Sequence, residues 1–94
     1  MTYDLAFLPS ALKEWRKLGA TVREQFKKKL ADRLLDPRVP ADALSGLDDC
    51  YKIKLRAAGF RLVYRVDDTT ITVVVVAVGK RERNAVYKAA AKRT

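Results

Sequence analysis

Ninety-four residues set the size of one domain, and 49% apolar residues are enough for a compact core, which excludes a disordered tail. Twenty Lys and Arg against eleven Asp and Glu give a formal charge of +9 and a pI near 10.0, so the expected partner is acidic: nucleic acid, an anionic membrane or an acidic protein. A lone cysteine, Cys50, and no histidine exclude an internal disulfide, a histidine general base and every histidine-dependent metal motif. The segment Met1 to Leu8 lacks the basic and long apolar regions of a signal peptide, and the longest apolar run, Val73 to Val78, is too short to span a bilayer. A soluble protein of the reducing cytoplasm is expected, with no membrane partner.

In chain order, Tyr3, Leu5 and Phe7 alternate with Asp4 and Ala6 and predict a short strand ending before Pro9. Ser10 is the expected N-cap of a helix whose apolar stripe is Ala11, Leu12, Trp15 and Leu18 and which Gly19 ends. Thr21 and Glu24 read as a capping box, opening a second helix in which Val22, Phe26, Leu30 and Leu34 recur every fourth residue, until Asp36-Pro37 stops it near Leu35. The stretch from Pro37 to Asp49 reads as an irregular connection. Two alternating strands follow, around Cys50–Arg56 and Phe60–Val66, joined at Ala57-Ala58-Gly59 with Gly59 at positive φ. After a turn at Asp67–Thr70, the β-branched run Ile71–Val78 is apolar on both faces and reads as a central strand that Gly79 breaks. A short Ala-rich helix from Asn84 to Lys92 carries Tyr87. The expected fold is one α+β domain over residues 1–94, in the order β-α-α-β-β-β-α, with a mostly antiparallel sheet, two helices on one face and a cationic open face opposite.

The second and third strands carry the most informative pattern. Residues two apart in a strand share a face, so Lys52, Lys54 and Arg56 point away from Tyr51, Ile53 and Leu55, and Arg61 and Arg65 away from Leu62 and Tyr64. Grouping like charges costs energy unless a polyanion neutralises them, and a phosphodiester backbone is the commonest one. Arg81 follows the last strand and Tyr87 lies within two helical turns of it. The plain alternative is that alternating Lys and Arg mark the solvated face of an antiparallel sheet. Trp15 and Phe26 read as core, Cys50 as a small buried residue, and Tyr51 and Tyr64 as structural. On pattern alone the cations of the helices, including Lys29 and Arg33, read as a soluble helix face.

Neighbouring cations disfavour the charged form of a lysine, so a crowded Lys52 or Lys54 can take a proton near neutral pH while guanidiniums stabilise a developing phosphorane. RNA brings its own nucleophile, the 2′-hydroxyl. Metal-independent RNA cleavage by internal transesterification is the simplest compatible chemistry, with no cofactor. From composition alone, a binding module stands equally open.

The run Leu12-Lys13-Glu14-Trp15-Arg16-Lys17-Leu18, the segment Cys50–Arg56, the stretch Gly59–Tyr64 and Val78-Gly79-Lys80-Arg81-Glu82-Arg83 with Tyr87 resemble, over essentially the whole chain, the RelE toxin family of the RelE/ParE superfamily. That resemblance implies a ribosome-dependent endoribonuclease that cuts messenger RNA in the A site by 2′-hydroxyl attack. It implies inhibition by a RelB-type antitoxin, with operator DNA reached only through the antitoxin complex. By the same resemblance Lys52 and Lys54 are active-site lysines, Arg61 a phosphate-stabilising arginine, Arg81 a general acid or leaving-group stabiliser, and Tyr87 a residue that stacks with or orients substrate. Lys13, Arg16, Lys17, Arg23, Lys27, Lys28, Arg56, Arg65 and Arg83 are the expected further contacts to RNA or ribosome. Ser45 stands where a close family member carries an arginine, so a supplementary phosphate contact is expected to be missing. The other classes are a gyrase-poisoning ParE-type toxin, which typically lacks this residue set, and a non-catalytic RNA- or ribosome-binding protein.

Overall fold

A computed structural model describes residues 2–94. Its elements are β1 (Asp4–Phe7), α1 (Pro9–Arg16), α2 (Ala20–Leu35), a 3-10 turn at Pro40–Asp42, β2 (Cys50–Leu55), β3 (Phe60–Asp67), β4 (Thr72–Lys80) and α3 (Ala85–Arg93). The four strands form one sheet in the order β1-β4-β3-β2. The β2–β3 and β3–β4 pairs are antiparallel, whereas β1 runs parallel to β4, with Asp4 opposite Thr72 and Phe7 opposite Val75.

Helices α1 and α2 cover the same sheet face. Ala11 and Leu18 beside α2's Phe26 and Leu30 meet Ile53, Leu55, Leu62, Tyr64, Val73 and Val75 in the main core. Trp15 is wedged between Phe7 and Phe26, at ring-centre distances of 5.2 and 6.2 Å. On the other face a smaller cluster joins Cys50, Val63, Val76 and Ala77 to Val86 and Ala90 of α3, with Leu44 and Leu47 at its margin. The sheet is thus covered on both faces near β4, as a run apolar on both sides requires. A bulge shifts the β3–β4 register between Val63 and Tyr64, so Val76 and Ala77 both serve the smaller cluster.

Four local expectations are corrected. Ser10 is not a cap: α1 starts at Pro9, with Leu8 in extended conformation as N-cap, because proline loses nothing at a position whose N–H is unpaired anyway. Thr21 and Glu24 form no capping box, since α2 begins at Ala20 with Gly19 as N-cap, and Glu24 pairs with Lys27 at 3.2 Å instead. Ile71 belongs to the turn, at φ 51°, where the Asp67 carboxylate accepts from the Thr69 and Thr70 amides and carries the chain past the strand end. Gly79 does not end β4, which pairs Gly79 with Arg61 and Lys80 with Phe60.

Candidate active site

The β2–β3 hairpin closes at Gly59, which takes φ 72°, a conformation that carries no steric penalty without a Cβ. The Gly59 amide donates to Leu55 O at 2.8 Å, and the Gly59 carbonyl accepts from the Arg81 amide at 2.8 Å. One glycine therefore fixes both the turn and the chain leaving β4. Register sets Lys54 directly opposite Arg61, and Arg61 opposite Gly79. The result is a cleft of about 180 Å³ lined by Lys54, Leu55, Arg56, Phe60, Arg61 and Arg81.

Tyr87 approaches Arg61 from α3. The Arg61 guanidinium carbon lies 5.1 Å from the centre of the Tyr87 ring, a cation–π distance. Among the described residues, Arg61 Nε and the Tyr87 hydroxyl are the buried side-chain polar atoms without a hydrogen-bond partner. Such a group costs roughly 1–3 kcal/mol, and two side by side mark a place arranged for something other than stability. Lys52 shares the face of Lys54, one pleat along β2, but does not line the cleft. Its charge is nonetheless the largest cause pushing the Lys54 ammonium below its ordinary 10.5, ahead of partial loss of water and the charges of Arg61 and Arg56, while Asp42 pulls the other way. Burial, helped by the charges of Asp49 and Asp48 and opposed by Arg65, pushes the Cys50 thiol up, which leaves it an inert core residue.

The remaining cations are scattered. Arg65 keeps to the expected face but sits opposite Cys50 and Val74, roughly 13 Å along β3 from Arg61, in a depression with Asp48, Asp49 and the chain end. It does not join the cleft. Lys13, Arg16 and Lys17 are exposed on and after α1, as are Lys27 and Lys28 on α2, while half-buried Arg23 donates to Arg16 O at 3.3 Å. Arg83 is exposed in the left-handed corner, φ 45°, that turns the chain into α3. Ser45 is exposed in the connection before β2. Arg33 is no surface cation: it is half-buried and bonded to Asp42, Tyr64 and the Lys52 carbonyl.

Two residues that sequence patterning did not single out hold Tyr87's helix in place. Arg93 at the end of α3 donates to Glu14 Oε1 at 2.8 Å and to Val76 O at 2.9 Å, and Glu14 Oε1 also accepts from the Val78 amide at 3.3 Å. This clasp joins α1, β4 and α3. Partial exposure discounts it to about 1–2 kcal/mol. Arg93→Ala is expected to speed amide exchange along α3 by on the order of tenfold, with the hairpin amides unchanged; unaltered α3 exchange would show that Val86 and Ala90 alone hold the helix.

A family model described as the ParE toxin of the type II toxin-antitoxin system parDE matches residues 5–85. The mRNA interferase toxin RelE of Escherichia coli K12 is 60% identical over 93 residues, covering 99% of this chain and 98% of that one. The structure of a mutant of the E. coli toxin RelE in the free state superposes with a TM-score of 0.91 at 58% identity, covering 99% of this chain and 98% of that chain. The intact E. coli RelBE toxin-antitoxin complex matches with a TM-score of 0.83 at 60% identity, over 86% of this chain and 99% of that chain. With a full-length relative at that identity and the same fold, the chain belongs to the RelE toxins of the RelE/ParE superfamily of type II toxin-antitoxin systems.

Proposed function

We propose that this chain is a ribosome-dependent messenger-RNA endoribonuclease that stops translation, acting as a single toxin domain in the cytoplasm and neutralised by a RelB-type antitoxin. The observation that carries this reading is the one cleft in which Lys54, Arg61 and Arg81 meet above Tyr87. Identity of 60% to a protein named mRNA interferase supports it and favours it over gyrase poisoning, although the matching family model bears the ParE name.

In the reaction, the 2′-oxygen attacks the adjacent phosphorus, the bond from phosphorus to the 5′-oxygen breaks, and a 2′,3′-cyclic phosphate and a 5′-hydroxyl result. Lys54 takes the 2′-hydroxyl proton. Lys52 keeps Lys54 poised by repulsion and holds a phosphate oxygen. Arg61 faces the non-bridging oxygens, where the charge rises from one negative unit in the diester to two in the phosphorane, and Arg81 stabilises the departing 5′-oxygen. An arginine side chain stays protonated at any ordinary pH, so its contribution is electrostatic and the leaving oxygen takes its proton from solvent. The unpartnered Tyr87 hydroxyl and Arg61 Nε are donors that a sugar or phosphate oxygen satisfies after a small shift. Tyr87 otherwise offers its ring to a base.

Primer extension on translating ribosomes tests the reading: new ends should fall inside the A-site codon, while supercoiling by gyrase proceeds unaffected. Cleavage of naked RNA at a comparable rate would remove ribosome dependence. A lysine base works only when deprotonated, so the single-turnover rate should rise with pH up to the depressed Lys54 pKa and then level. Lys52→Met removes the largest cause of that depression and should move the rise to higher pH. An inflection that stays in place assigns the proton to another group.

A further inference from the structure

The cleft opens, around the tip of the hairpin, into a second and larger depression of about 530 Å³ between that tip and α2. The two share Lys54, Leu55 and Arg56. The size falls within the ~300–1,000 Å³ typical of small-ligand clefts. Its floor is apolar, from Leu55, Ala57 and Ala58, and its far wall is Lys28 and Lys29 of α2. Every charged side chain lining it is a cation. Lys27, one position away, is paired with Glu24, yet among the described residues Lys28, Lys29 and Arg56 have no carboxylate within ion-pairing distance. Three unneutralised cations around an apolar floor fit a ligand with a flat apolar part and a phosphate. A nucleotide has both.

We propose that this groove is a nucleotide subsite for the RNA strand being cut: the residue flanking the scissile linkage bends around the hairpin tip, lays its base on Leu55, Ala57 and Ala58, and gives its phosphate to Lys28, Lys29 and Arg56. The proposal rests on the nuclease reading, and it assigns to Lys28 and Lys29 a role toward messenger RNA itself. Continuity with the cleft favours the substrate strand over ribosomal RNA or the antitoxin. A strand held at two adjacent nucleotides also explains how a small cleft fixes a flexible chain for in-line attack.

Fluorescence anisotropy with 2′-O-methyl oligoribonucleotides, whose blocked 2′-oxygen prevents cleavage, tests the subsite on the intact protein. Affinity should rise about tenfold from two to four nucleotides, the scale of one further stacked and charge-held residue. In Lys28→Glu/Lys29→Glu that rise should vanish, dinucleotide binding should persist, and the slope of log affinity against log salt should fall by about 1–2. Both lysines are exposed on α2, and Lys28→Gln/Lys29→Gln offers a milder pair with the same expected direction. A rise retained in both variants, or absent from the parent, overturns the subsite. So does a variant that loses ribosome binding or antitoxin binding alone while keeping the rise. Ribosomal cleavage by the parent protein, measured alongside, judges the nuclease reading separately.

Discussion

Arg81→Ala is expected to lower the single-turnover cleavage rate on ribosomes by on the order of 10²–10³-fold, the usual loss when one preorganised group facing developing charge is removed. The fold should not notice. The Arg81 side chain is exposed, and what the residue contributes to structure is its amide, which donates to Gly59 O whatever the side chain. Circular dichroism and the thermal midpoint should therefore match the parent within about 0.5 kcal/mol. Arg61→Ala should cost a similar factor in rate, and Arg61→Lys should recover little of it, because an ammonium cannot lie flat on the Tyr87 ring while facing a phosphate. An Arg81→Ala protein that unfolds, or one that still cleaves at the parental rate, would remove Arg81 from the chemistry.

Arg33→Ala should act on stability instead. Its guanidinium reaches Asp42 at 2.5 Å, the Tyr64 hydroxyl at 2.8 Å and the Lys52 carbonyl at 3.3 Å, and that hydroxyl in turn donates to Pro37 O at 2.6 Å. Burial works against the Arg33 charge, yet the bonds with Tyr64 and Asp42 outweigh it and hold the pKa above its ordinary value. Removing the side chain strands Asp42 and part of the Tyr64 hydroxyl, a loss of about 2–4 kcal/mol and on the order of 10–20 °C in Tm. Combined with Tyr64→Phe, the two losses should fall short of additivity by at least ~0.5 kcal/mol. Full additivity would mean the three groups act separately. Since Arg33 also holds β2 at Lys52, cleavage should weaken in step with stability.

What was legible in the sequence is what local periodicity encodes. Helix α2 ends where Asp36-Pro37 stops it, Gly59 turns the hairpin, and β4, apolar on both faces, lies between β1 and β3. Starts of helices were less legible because neighbours compete: Pro9 outranks Ser10, and Gly19 precedes Thr21. Ile71 is β-branched and looks like strand, but the Asp67 turn overrules a single residue's preference. Alternation assigns Arg65 to a face and says nothing of its distance along the strand, so the pattern groups Arg65 with cations it does not meet. Arg33 looked like one more helix-surface charge because its partners, Asp42 and Tyr64, are brought to it only by folding. The Glu14–Arg93 clasp joins opposite ends of the chain and leaves no local trace.

The parallel pairing of β1 with β4 bears on how such a chain is made. Asp4 finds its partner only in Thr72, and Arg81 and Tyr87 come later still. A polypeptide caught midway through synthesis thus has an orphan first strand, a core lacking its middle, and half a catalytic set. On the nuclease reading, the ribosome building this protein stays safe from it until Arg81 and Tyr87 have been added and can fold onto the sheet. Stalled nascent chains halted before Thr72 should leave neighbouring transcripts whole, whereas released full-length product should not.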